Sequence, residues 1–377
     1  MDNSILFLAN IALVIGCLIM GLIFLILPLP SMERLKNYRI SLKVLSTAYF
    51  IQGTLATLPF MLDIEGVSLV SPIDLIISSS QVILFSLTLI TLFNPTFVTT
   101  RVLSRFLSPL LIFILLLVVF SAIWGDPDLK TLIELQQNLY HPTVILREFF
   151  LVIYIFQVIY FSRIFFQEEK RYKQQLNDYF ADNYRLHLKW VRYCFFAALI
   201  VGLIAFASFF FFSITWVTVT CFIYAVFYVG FGLFFIQYPQ TFIQIEKAIE
   251  YEPVVTPDVL KTDNRQYNWK DLREQIINQK YYLKSGVNIE ELAQQLQVGR
   301  TTLSGFINTE EGVNFNLWIN KLRVDEAKQL LARESNYSIA QISEMVGFSE
   351  QSNFSRQFKL ITNESPSTWR QENQVTY

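Results

Sequence analysis

The chain has 377 residues, 53% hydrophobic and 16% charged, with 30 Lys/Arg against 31 Asp/Glu. An ordinary soluble domain is about 25% charged, so composition and a mean hydropathy of +0.38 exclude a chain made only of soluble domains. The three cysteines, Cys17, Cys194 and Cys221, all lie in apolar runs, which argues against a disulfide framework.

In chain order, the first apolar stretch, 5–27, has no charge and no basic segment before it. It is expected to be a membrane span rather than a cleavable signal peptide. A transmembrane helix needs roughly 20 apolar residues, and seven stretches qualify: 5–27, 42–62, 72–93, 108–124, 144–166, 191–212 and 217–237. Pro28, Pro72, Pro95, Pro109, Pro142 and Pro239 fall at their ends, where a missing N–H costs least.

Basic residues mark the cytoplasmic connections. Arg34, Lys36, Arg39, Arg101, Arg105, Lys170, Arg171, Lys173, Arg185 and Lys189 fall in odd-numbered connections, and only Lys130 falls in an even-numbered one. The expected topology is multi-pass in the bacterial cytoplasmic membrane, with the N-terminus outside and the C-terminal domain in the cytoplasm. Polar side chains inside spans invite a functional reading. Gln52, Gln81, Gln157, Arg147 and Glu148 are therefore candidate sensing residues. Helix–helix hydrogen bonding for the glutamines and snorkelling for Arg147 explain the same pattern.

The connection 167–190 repeats Leu176, Tyr179, Phe180 and Tyr184 near a helical period. It reads as an interfacial helix with its aromatics at headgroup level. The other reading is a lever contacting the cytoplasmic domain. Residues 238–265 form a connector, broken by Pro253 and Pro257.

From Tyr267 the pattern becomes short amphipathic helices. "NIEELAQQLQ" opens on Asn288 as N-cap, Gly299 marks a turn, and "RTTLSGFIN" makes a second helix with Leu303 and Phe306 inward. A longer helix follows at about 314–333. The outline then repeats, with Ser338 and Gln341 at capping-box positions, Gly347 in the turn, Ser349 as the next cap, and Phe354 and Phe358 inward. The fold class is all-α: a seven-helix transmembrane bundle (1–237), the connector (238–265) and a cytoplasmic double helix-turn-helix domain (266–377).

"LR…A…LL" on the long helix, then "GF…NFSRQFK" and "SP…R", occur in order across 267–371. This region resembles the DNA-binding domain of AraC/XylS-type transcriptional regulators. The resemblance implies two helix-turn-helix units reading adjacent major grooves of double-stranded DNA. Their separation of about 34 Å is close to the roughly 30 Å span of a 20-residue helix. Carried over by position, the first reading helix presents Arg300, Thr301, Ser304 and Gly305, and the second presents Gln351, Ser352, Asn353, Ser355 and Arg356. Arg356 suits guanine, Gln351 or Asn353 suits adenine, and Lys359 suits a phosphate. Gly305 stands where the family commonly has a longer polar or basic residue, and Asn363 replaces a usual Gly.

From Asp258 to its end the chain carries 14 basic and 15 acidic residues, not the footprint of a strongly basic DNA binder. Dimerisation or membrane confinement is expected to support binding. There is no HExxH, P-loop or other catalytic motif, and His141 and His187 are expected on opposite sides of the membrane. The chain is therefore expected to be a non-enzyme without metal or cofactor. Its expected partners are DNA, membrane lipid, an extracytoplasmic or intramembrane ligand or protein, and a second copy of itself. The leading expectation is a membrane-bound one-component transcriptional regulator. The alternative is a transporter or channel with a regulatory helix-turn-helix tail, and a simple membrane anchor on a constitutive regulator is a third.

Overall fold

The computed structural model describes residues 3–28, 36–57, 69–94, 96–127, 129–182, 188–210, 213–236, 267–333 and 336–373. The expected connector, Asp128, Tyr184 and His187 lie outside these. The described residues are helical apart from turns and loops, with one isolated antiparallel bridge between Phe180 and Asn288. Two compact units form: Met1–Lys170 with Leu188–Glu246, and Arg171–His187 with Lys247–Tyr377.

The first unit contains α1 (Asn3–Ile26), α2 (Lys36–Leu55), α3 (Pro72–Phe93), α4 (Thr100–Trp124), the short α5 (Leu132–Gln137), most of α6 (Pro142–Tyr179), α7 (Lys189–Ser208) and α8 (Ile214–Ile236). Among the described residues six helices are long and apolar enough to cross a membrane: α1, α3, α4, α6, α7 and α8. α2, which covers most of the expected second span, is not one of the six; it carries Lys36, Arg39 and Lys43, and residues 58–62 of that span lie outside the described set. α4 is little covered by protein: Leu111, Leu115 and Val118 are more than 60% exposed. A helix so apolar and so little covered by protein suits a lipid surrounding, because water would penalise that face.

α1 packs on α2 and α8, and α2 packs on α3. Buried tyrosines tie these helices by donating to backbone carbonyls: Tyr38 to Phe235 at 2.8 Å and Tyr49 to Tyr228 at 2.5 Å. The Tyr228 hydroxyl in turn donates to Gln52 at 2.9 Å. In lipid such bonds satisfy polar groups that have no water to turn to.

α4 corrects one expectation. The fourth span was expected to be short and to begin near Pro109, but the helix starts at Thr100, capped by the Thr99 hydroxyl accepting from Val102 N–H. Pro109 sits inside it. Proline there cannot donate to the Arg105 carbonyl, and the Ser108 hydroxyl donates to that carbonyl instead, at 3.2 Å.

The second unit contains the last turns of α6, then α9 (Trp269–Asn278), a 3-10 turn (Tyr281–Leu283), α10 (Ile289–Gln295), α11 (Arg300–Glu310), α12 (Phe315–Arg333), α13 (Ile339–Met345), α14 (Gln351–Thr362) and α15 (Pro366–Asn373). α10 and α11 form one helix-turn-helix, α13 and α14 the other, and α12 joins them. The second has its own core of Val324, Ala327, Leu331, Ile342, Val346, Phe348, Phe354 and Phe358, with Trp369 packed against it.

A second correction concerns 167–190. α6 continues unbroken through Tyr179, and Leu176, Tyr179 and Ala181 are buried. Two of them bond to the C-terminal domain: the Tyr179 hydroxyl donates to Glu290 at 2.5 Å and Ala181 N–H donates to the Val287 carbonyl at 3.2 Å. For Tyr179 and Phe180 the contacts fit the second reading, a segment that touches the C-terminal domain, rather than a headgroup belt.

Candidate nucleic-acid interface

The turns of the two helix-turn-helix units are built differently. In the second, the Ser338 hydroxyl accepts from Gln341 N–H and the Gln341 side chain accepts from Ser338 N–H, a complete capping box. Gly347 then takes φ +90°, and a Cβ there would lie 2.4 Å from the Leu283 carbonyl oxygen, so only glycine fits. In the first, Asn288 caps α10 by accepting from Glu291 N–H at 2.9 Å, but Glu291 does not close a box; it pairs with Lys284 at 3.1 Å. Gly299 is not the left-handed turn residue. It is extended (φ −66°, ψ 139°) as N-cap of α11, and Gln297, with φ 54°, makes the turn. Asn363 takes φ 66° beyond α14, a conformation Asn tolerates better than most residues.

Arg323 ties the 3-10 turn to the second helix-turn-helix unit. Its side chain is fully buried, donates from Nε to the Tyr282 carbonyl at 2.7 Å and from Nη2 to the Lys284 carbonyl at 2.9 Å, and lies over the Phe348 ring. Burial lowers its pKa to about 10, offset in part by Asp182, so the guanidinium stays charged at neutral pH. This gives a physical reason for the Arg of the "LR" motif. Beside it, the Tyr282 hydroxyl donates to Glu326 at 3.1 Å, and burial next to that carboxylate pushes its pKa up to about 12.

On α14, Gln351, Ser352, Arg356 and Lys359 are exposed and Ser355 is half-buried. Asn353 is only 2% exposed: its amide donates to Asp182 at 2.9 Å and accepts from Arg356 Nη2 at 2.8 Å. Ser349 was expected to cap α14. The N-cap is Glu350, whose side chain does not cap the helix, and both the backbone N–H and the hydroxyl of Ser349 donate to Asp182. On α11, Arg300, Thr301 and Gly305 are half-buried, Phe306 is half-buried and stacks on Trp269, and Ser304 is 7% exposed. Ser304 and Asn353 thus face protein rather than solvent in this arrangement. The near-balanced charge of the domain hides a local imbalance. Lys280, Lys284 and Arg273 pair with Glu326, Glu291 and Glu311, whereas α14 carries Arg356 and Lys359 and no acid.

In the first unit, Gln52, Gln81 and Arg147 line one cavity of ≈ 2220 Å³; Glu148 and Gln157 do not. Gln157 instead accepts from the Ser79 hydroxyl at 2.7 Å, a helix–helix bond. Gln81 donates to the Ala48 carbonyl at 2.9 Å, and Arg147 pairs with Asp126. The cavity also takes in Asp74 and Tyr224. Asp74 is not among the candidates above, although an acid three residues into an apolar run is a readable signal.

A family model described as a helix-turn-helix domain matches residues 292–372. Among curated relatives, the regulatory protein PocR of Salmonella typhimurium is 30% identical over 91 residues, 24% of this chain and 30% of that protein. The raffinose operon transcriptional regulatory protein RafR of Pediococcus pentosaceus is 34% identical over 23% of this chain and 31% of its own length. The HTH-type transcriptional regulator RipA of Corynebacterium diphtheriae is 38% identical over 21% and 23% respectively. A solved structure, the C-terminal domain of AraT, a response regulator from Geobacillus stearothermophilus, is 30% identical over 28% of this chain and 86% of that one, with a TM-score of 0.26. The chain spans less than a third of the length of these curated relatives. Its C-terminal part is a helix-turn-helix domain of the kind carried by transcriptional regulators.

Proposed function

We propose that the chain is a membrane-bound one-component transcriptional regulator with an AraC-type DNA-binding domain. It spans the membrane seven times, α2 included, with the N-terminus outside and the double helix-turn-helix domain in the cytoplasm. α11 and α14 enter adjacent major grooves. Arg356 and Gln351 read base edges, Ser352, Ser355, Arg300, Thr301 and Gly305 line the contact, and Lys359 holds a phosphate. The observation that carries this reading is the pair of helix-turn-helix units joined by α12, which the region matching the helix-turn-helix family covers from residue 292 onward. The largely apolar cavity that Gln52, Gln81 and Arg147 help line is where a ligand or partner acts. A ligand shifts the regulator only by its differential affinity for two states.

Chromatin immunoprecipitation of tagged full-length protein in its native cells tests the reading. A few sharp peaks upstream of genes are expected; absence of enrichment with the protein well expressed removes it. Arg356→Ala is expected to weaken binding by about 1–3 kcal/mol and relax one base position. Unchanged affinity and preference would reassign α14.

The same cavity favours a second reading, a transporter whose tail is regulatory. Solute uptake by cells expressing residues 1–257 alone would support it.

A further inference from the structure

α6 does not stop at the end of its apolar stretch. Its last turns and the residues after it lie across all three parts of the C-terminal domain. The Tyr179 hydroxyl donates to Glu290 at 2.5 Å, in the first turn of α10. Phe180 bridges Asn288. On α12, Asn316 donates to the carbonyls of Phe180 and Ala181 at 3.0 and 2.6 Å, and Asn320, one turn on, donates to Ala181 at 3.3 Å. Asp182 then reaches α14: one carboxylate oxygen accepts from Ser349 N–H at 3.1 Å and its hydroxyl at 2.6 Å, and the other accepts from Asn353 at 2.9 Å.

Those three donors sit at the start of the helix assigned above to the major groove. A backbone N–H, a hydroxyl and an amide converging at a helix start suit a DNA phosphate oxygen as well as a carboxylate. Asp182 also draws Asn353 away from bases, and its charge would repel an approaching phosphate backbone. We infer that residues 176–182 are an autoinhibitory strap, in which Asp182 occupies the place of a DNA phosphate, and that DNA binding requires its release. The inference rests on the DNA-binding reading of α14. The strap is continuous with the helix that carries Arg147 on the cavity, so one helix links the proposed sensing site to the strap.

The test uses the full chain in lipid nanodiscs and fluorescence anisotropy with labelled 30-base-pair duplexes of random sequence at low salt, where phosphate contacts dominate. Asp182→Ala and the near-isosteric Asp182→Asn are compared with wild type, with thermal unfolding as a check on folding. Both variants are expected to bind at least about fivefold tighter, the lower end of common coupling strengths. Hydrogen exchange adds an independent readout: DNA is expected to speed exchange of the Ala181 amide, now bonded to Val287. Equal or weaker binding by both folded variants, or an Ala181 amide equally protected with DNA bound, overturns the strap. If Arg356→Ala still weakens binding in that case, the DNA-binding reading survives alone. If neither wild type nor the Asp182 variants bind duplex, both fall.

Discussion

At Gly347 the backbone lies at φ +90°, with the Leu283 carbonyl and Arg323 Nη2 crowding the space a Cβ would fill. Alanine there combines a left-handed conformation, costing about 1–3 kcal/mol, with a backbone clash. Gly347→Ala is therefore expected to speed amide exchange in α13 and α14 by at least about fivefold. Arg323→Met keeps the stem but leaves the Tyr282 and Lys284 carbonyls without their donor. Each buried carbonyl so stranded costs about 1–3 kcal/mol. Exchange in the 281–287 turn should accelerate even though no residue proposed to contact DNA is touched. With the Arg323 pKa lowered by burial only to about 10, the folded state tolerates the charged form less well than the unfolded chain does. The resulting penalty is already complete below the folded pKa and eases only as pH rises through it. This group should give no stability change between about pH 6 and 9. The side chains that sequence position assigns to DNA divide at this level too. Gln351, Ser352, Arg356 and Lys359 are exposed, while Ser304 and Asn353 are covered, and burial of a short polar residue on a helix of mixed character leaves no mark in the sequence.

α13 is seven residues long, too short to persist without its caps and its packing. Ser338→Ala, which removes one half of the capping box, should cost about 1 kcal/mol and fray α13 first, measurable as loss of protection at Gln341 and Ile342. Such elements are legible in sequence because their determinants are local: Ser338 with Gln341, Gly347, and Phe354 one turn before Phe358. Where elements start is less legible. α4 begins at Thr100 because Thr99 caps it and Ser108 takes over the carbonyl that Pro109 cannot serve, two compensations invisible to a rule that places prolines at span ends. The end of α6 was legible as a helix, and its contact only as the second of two readings. Asn316, Asn320 and Val287 hold backbone groups of Phe180 and Ala181. Bonds to main chain carry no side-chain signature on the segment being held.

Over the whole chain, a bare apolar exterior on α4 and a capped, charged domain after Tyr267 express the same division that composition predicts. Yet the compact units do not follow the order of the chain, since Arg171–His187 groups with Lys247–Tyr377. A cut at residue 258, the natural place to separate a soluble module from apolar helices, therefore removes part of the module itself. A fragment of 258–377 would leave Asn316 and Asn320 facing water in place of the Phe180 and Ala181 carbonyls, and Ser349 and Asn353 without Asp182. Its promoter activity would report a chain stripped of its own ligand. A regulator that looks constitutive after its membrane helices are deleted would then be evidence for internal control, and the informative truncation is one that grafts residues 171–182 back onto the fragment.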